Sequence, residues 1–175
     1  AGGLVSHNGT MALGLTGTNA YGRITVSGTV GLNGTLRVDP RAGYVPQAGD
    51  RFTLLTAGTR TNTYAELQLG QTPGLAWQVS YAPTAVSLTA LEATAGAQNI
   101  SGTVTDFNAQ PVGNLIVYAF NTSGTNQYYV STVTDSSGQY TLGVTNGNWR
   151  VSVQGAVARG YDDPTPQDVI VSDAN

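Results

Sequence analysis

The chain has 175 residues, a formal net charge of −3 and only 10% charged residues; it contains no cysteine, and all seven of its basic residues are arginine. Without cysteine there are no disulfides, zinc–thiolate sites or thiol nucleophiles, and without lysine there is no Schiff-base chemistry and no Lys–Asn isopeptide crosslink. The arginines are dispersed and form no basic stripe, which argues against nucleic acid as a partner, and no apolar run approaches the ~18 residues that a membrane span needs.

The 23 glycines and the recurrence of Thr, Ser, Val and Asn favour strands over helices. The fold class expected is all-β, in two small domains. The chain opens on "AGGLVSHNGT", which has no initiator Met, basic n-region or apolar h-region. This start reads as that of a piece excised from a longer exported parent. "NGT" at 8–10 returns 25 positions later at 33–35, each time before an apolar-rich segment, a spacing compatible with coils of a β-solenoid. A small β-sandwich fits the same pattern. In "RITVSGTVGLNGTLRV", Ile24, Val26, Val30 and Leu32 share one phase, followed by Leu36 and Val38. Asn33-Gly34 predicts a tight type I′ turn, whose two central residues need positive φ.

"YVPQAGDRFTLLTAG" places turn signals before a strand. "GLAWQVSYAPTAVSLTAL" alternates Leu75, Trp77, Val79 and Tyr81, then Val86, Leu88 and Ala90, across a hairpin at "APT". The hairpin would close the end of a stack that otherwise offers open backbone groups. Residues 1–91, through "ITVSGTVGLNGTLRV", "YVPQAGDRFTLLTAG" and "GLAWQVSYAPTAVSLT", resemble the C-terminal coils of right-handed β-helical passenger regions in autotransporters and related bacterial surface proteins. Nothing in them resembles that family's translocator barrel, so autotransport is not implied.

Residues 92–98, "EATAGAQ", lack alternation and read as a linker. From 99 to 175 six short strand-like segments are separated by turn signals, the pattern of a small, Greek-key-like sandwich. In "VTDSSGQYTLGV", Asp135 at the first position and Gly138 at the fourth mark a type I turn whose Asp side chain accepts nearby backbone N–H groups. "ISGTVTDFNAQPVGNLIVYAF", "TVTDSSGQYTLGV" and "NGNWRVSVQG" resemble the carboxypeptidase regulatory-like domain, a transthyretin-type sandwich. That resemblance implies an accessory module without peptidase activity. It also implies one more strand after "QDVIVSD", so that strand has been cut away or an edge is left open.

His7 is the single histidine and would have to be the base of any Ser-His-Asp triad; its place near the terminus reads as surface. Glu66 and Glu92 lie in different contexts, and nothing sets two acids on one cleft. No catalytic residue is assigned and the chain is expected not to be an enzyme. Asp162, Asp163 and Asp168 in "YDDPTPQD" are the best metal candidates, because calcium takes oxygen-rich loops. The full D-x-[DN]-x-[DN]-G pattern is missing, and the same residues fit a solvated loop. No other cofactor is implied. Tyr128 and Tyr129 are adjacent, so a strand turns one outward, where it could stack on a sugar ring or cover a sandwich edge. Trp77 and Trp149 fall on alternating apolar faces and read as core. The four N-x-S/T sites, at Asn8, Asn33, Asn99 and Asn121, read as turn and strand composition.

The expected role is a non-catalytic structural or adhesive module of a large exported bacterial surface protein, serving as stalk end and spacer, extracellular or at the cell surface. Its partners would be other domains of the parent and a cell-surface glycan or protein. The alternative is a carbohydrate-binding accessory module of an extracellular enzyme.

Overall fold

The structure, a computed structural model, describes residues 4–41, 43–72, 74–93, 98–121, 125–162 and 164–172, with side chains from residue 8 onward. Among these residues, regular structure is β-strand throughout, apart from a three-residue 3-10 turn at Val157–Arg159. The chain divides into two compact units, Ala1–Glu92 with Gly124–Tyr128 and Ala93–Ser123 with Tyr129–Asn175.

In the first unit the chain alternates between two parallel ladders. One stacks β1 (Leu4–His7), β3 (Ile24–Leu32) and β5 (Arg51–Thr61); the other stacks β2 (Thr10–Leu15), β4 (Thr35–Pro40) and β6 (Glu66–Leu69). Leu4 lies opposite Thr29 and Thr10 opposite Thr35, so the first pass through both ladders advances by the same interval as the repeated Asn-Gly-Thr.

That repeat works differently from the type I′ hairpin predicted at Asn33-Gly34. The strands on either side belong to different ladders, and neither residue has positive φ. The pair turns a corner between sheets rather than reversing the chain. Glycine is needed at 34 for space: a Cβ there would meet the Gly9 carbonyl oxygen at 1.9 Å. The corners are joined by backbone bonds, Thr35 N–H to Gly9 O at 3.0 Å and Ala65 N–H to Gly34 O at 3.0 Å.

A second difference lies in β3, where Val30 and Leu32 are buried but Ile24 is 39% exposed. The pairing of β3 with β5 shifts register between Val26 and Thr29, and such a bulge turns the preceding side chains off the face that simple alternation assigns them.

β7 (Leu75–Ala82) and β8 (Ala85–Glu92) form an antiparallel hairpin with Ala82 opposite Ala85, and β8 also pairs antiparallel with β5. Trp77, Val79, Tyr81, Val86, Leu88 and Ala90 are all buried, as the alternation predicts. Phe52 sits at an aromatic hub: its ring meets Tyr21 edge-on at 5.3 Å, Tyr44 at 6.4 Å and Trp77 at 6.4 Å. Trp77 donates its indole N–H to Gly70 O at 3.3 Å. The hydroxyl of buried Tyr81 donates to Gln127 Oε1 at 2.5 Å and accepts the Tyr64 N–H at 3.3 Å, while Gln127 Nε2 donates to Tyr64 O at 3.2 Å. This closed ring satisfies the polar atoms that folding removes from water.

These phenols make the fold sensitive to alkali. Burial holds Tyr64 and Tyr81 far above the usual tyrosine range. Tyr44 is pushed up to about 12 by desolvation, then by its hydrogen bond to Asp50 and that carboxylate's charge. The folded chain therefore keeps protons that unfolded tyrosines release near pH ~10. The stabilisation is complete below that pH and drains away as pH rises toward the folded values. Urea midpoints should be flat to pH ~9.5 and fall steeply by pH ~11.5, with a shallower fall in Tyr44→Phe. An unchanged midpoint across that window would contradict this account.

The second unit is a two-layer sandwich. β9 (Gln98–Thr103) pairs antiparallel with β12 (Gln139–Val144). The other layer runs in the order β11, β10, β13, β14, with β10 (Ile116–Asn121) antiparallel to the Tyr129–Val133 part of β11 (Asn126–Val133) and to β13 (Gly147–Gln154), and β13 antiparallel to β14 (Gln167–Val171). Ile100, Leu142 and Val144 of one layer pack on Val117, Ala119, Trp149 and Val151 of the other. Trp149 is core, and its indole N–H donates to Thr145 O at 2.8 Å.

Candidate functional site

Within the second unit, a cavity of about 360 Å³ opens among the segment that joins β9 to β10, the end of β13 and the stretch after the 3-10 turn. Val112, Leu115 and Ala156 are buried in its floor, flanked by Val104 and Val153. Phe107, Tyr161, Asp106 and Asp162 stand around the floor. Phe107 is 96% exposed and Tyr161 is 38% exposed, an unusual amount of aromatic surface to leave in water.

Both aromatics are carried by locally fixed backbone. Asp106 Oδ1 accepts the N–H groups of Asn108 and Gln110, each at 2.9 Å, and Ala109 N–H donates to Asp106 O at 3.0 Å. Phe107 therefore sits in a turn closed on both sides. On the other side Gly160, at φ 81°, closes the 3-10 turn, and Tyr161 N–H donates to Ala156 O at 3.2 Å. Arg159 Nη1 reaches Gly113 O at 3.0 Å and ties that segment to the β9–β10 connection. Buried Thr134 braces the same wall, accepting the Leu115 N–H at 3.0 Å and donating to Val112 O at 2.9 Å.

The Asp106 turn has a twin. Asp135 Oδ1 accepts the N–H groups of Ser137 at 2.8 Å and Gln139 at 2.9 Å, and Gly138 N–H donates to Asp135 O at 3.0 Å. The acidic stretch at 135 is thus a turn, as its residue order predicts. At the fourth position the twins differ: Gly138 has φ 72°, whereas Ala109 is held at φ 60°. A left-handed alanine is strained by ~1 kcal/mol. Ala109→Gly should therefore raise the unfolding free energy by about 0.5–1 kcal/mol, less the added entropy of the unfolded chain. Urea denaturation would show it, and a lower midpoint would contradict the strain.

Residues 99–175 match the family model of the carboxypeptidase regulatory-like domain. No curated protein and no solved structure matches the chain. The regulatory-like domain is a non-catalytic, immunoglobulin-like module. Beside this match the cavity presents an apolar floor, two aromatic side chains and two carboxylates.

The residues singled out from sequence are scattered. Tyr129 is fully buried and stacks on Tyr118 at 5.4 Å, so a sugar cannot reach its ring. Tyr128 is 40% exposed, and its hydroxyl accepts Gln78 Nε2 at 2.9 Å. Asp162 lines the cavity, Asp168 pairs with Arg150 at 3.1 Å across β13 and β14, and Asp163 lies outside the described residues. Among the described residues, no group of three His, Asp or Glu is placed to hold a metal ion. His7 lies on β1, with its side chain outside the described set. Glu66 begins β6 and Glu92 ends β8. No helix among the described residues is long and apolar enough to cross a membrane.

Asp106, Phe107 and Tyr161 are not among the residues singled out from sequence. A usable signal existed in the near-identity of "TDFNAQ" and "TDSSGQ", with a phenylalanine at a turn position where its twin carries serine.

Proposed function

We propose that the chain is a non-catalytic structural or adhesive module of a large exported bacterial surface protein. Residues 1–91 act as the last coils of a right-handed β-solenoid stalk, like those of autotransporter passenger regions, and the regulatory-like sandwich acts as spacer and contact domain. The observation that carries this reading is the pair of parallel ladders, in which corner stacks on corner at Gly9 and Gly34. Strands repeated in this way give a rigid body whose neighbouring coils support each other without disulfides. The non-catalytic character of the matched domain supports the same reading.

Pulling the chain from its ends in a force spectrometer tests the stalk role. Stepwise unfolding against sustained force is expected. Turnover of glycosidic or peptide substrates that disappears in Asp162→Asn would overturn it. The accessory-module reading draws support from outward-facing Tyr128. Glycan-array binding lost in Tyr128→Ala would favour it, and equal signal across all glycans would remove it.

A further inference from the structure

We infer that the cavity beside Phe107 is a binding site for the cationic side chain of a partner protein, a lysine or arginine. The floor of Val112, Leu115 and Ala156 offers no hydrogen bonds from its side chains. A sugar lying there would leave hydroxyls unpaired, at a cost of about 1–3 kcal/mol each. An aliphatic stem suits the floor, and a stem long enough to cross it brings its head to the rim.

At the rim the chemistry is that of a cation site. Asp106 and Asp162 supply two carboxylates, and the Asp106 oxygen Oδ1 is held in place by two backbone N–H groups. Phe107 and Tyr161 line the same cavity, and an aromatic ring attracts an ammonium or guanidinium by about 0.5–1 kcal/mol at exposed sites. Arg159, on the same segment as Asp162, donates its Nη1 to Gly113 O at 3.0 Å. Lysine and arginine are the side chains that combine an apolar stem with a charged head. The chain contains no lysine of its own, so a lysine occupant must come from another protein. The inference does not depend on the stalk reading, since a recognition cavity could serve a spacer or an accessory module equally.

The test is titration of the full chain with acetyl-lysine-amide, followed by backbone amide NMR, with acetyl-norleucine-amide as the uncharged control and a neutral monosaccharide as the competing class. Saturable shifts confined to residues 104–115 and 153–164 are expected with the lysine probe. Binding about tenfold weaker is expected with the control or in the double variant Asp106→Asn, Asp162→Asn, from loss of two carboxylate contacts. Asn at 106 retains the oxygen that the turn needs. Phe107→Ala, at a position that is 96% exposed, should keep the spectrum folded and weaken the lysine probe about threefold. Shifts with the monosaccharide alone, equal binding of norleucine and lysine, or no saturation by any probe would each overturn the inference.

Discussion

Replacing Phe52 by alanine should cost about 3–5 kcal/mol, the range for deleting a large aromatic side chain from a closed core. The residue is fully buried and touches three other rings. Removing its ring costs the transfer free energy and also leaves a void. Tyr21, Tyr44 and Trp77 come from separate parts of the unit and cannot all close on that void. Trp77 gives the readout. Its fluorescence, recorded in a Trp149→Phe background, should show a lower urea midpoint and a red-shifted emission before unfolding. Phe52→Leu should recover much of the loss, and an alanine variant within 1 kcal/mol of the parent on the scale of ordinary surface changes would show that the hub is not structural.

The second large effect comes from adding a single methyl group. Gly34→Ala places a Cβ at 1.9 Å from the Gly9 carbonyl oxygen, with further backbone atoms at 2.8 and 2.9 Å. Because the obstacle is main chain, no rotamer change relieves it, and the two chain segments must separate where Thr35 N–H bonds to Gly9 O. A loss of about 3 kcal/mol is expected, at the upper end of overpacking costs. Gly9→Ala is the matching control, since nothing lies within 4 Å of its added Cβ, and it should fall within about 0.5 kcal/mol of the parent. Equal effects at the two positions, measured by urea denaturation, would refute the stacked-corner explanation.

The same glycine shows where sequence reading works and where it stops. Alternation identified Trp77, Val79 and Tyr81 as core because a strand's two-residue period maps directly onto a buried face. Asn33-Gly34 was legible as a change of direction but not as a corner. The residues that favour a sharp bend are the same whether the chain returns beside itself or passes to a second sheet, and the choice depends on Gly9, 25 positions away. Ile24 falls off the buried face because the register shifts across Gly28, and a strand glycine permits such a bulge without requiring one. Asp162 and Asp168 look close in the sequence, but β14 carries Asp168 opposite Arg150. The cavity was illegible for the converse reason: Phe107 and Tyr161 are brought together only once the β9–β10 connection is fastened to the 3-10 turn through Arg159 and Gly113.

The parallel ladders also sort the first unit into parts that tolerate change in length and parts that do not. Leu15 and Ile24 are paired respectively with Pro40 and Leu55 in the next parallel strand of each ladder, so the second excursion is longer while the paired strands keep their alignment. Part of that added length extends β5, where Arg51–Thr53 pair with β8, and the rest falls in the stretch between β4 and β5 carrying Tyr44 and Gly49, as a surface loop can take up at little entropic cost. A foreign epitope spliced into that excursion would be displayed on a rigid frame, whereas the same insert at the Gly34 corner would prise the frame apart.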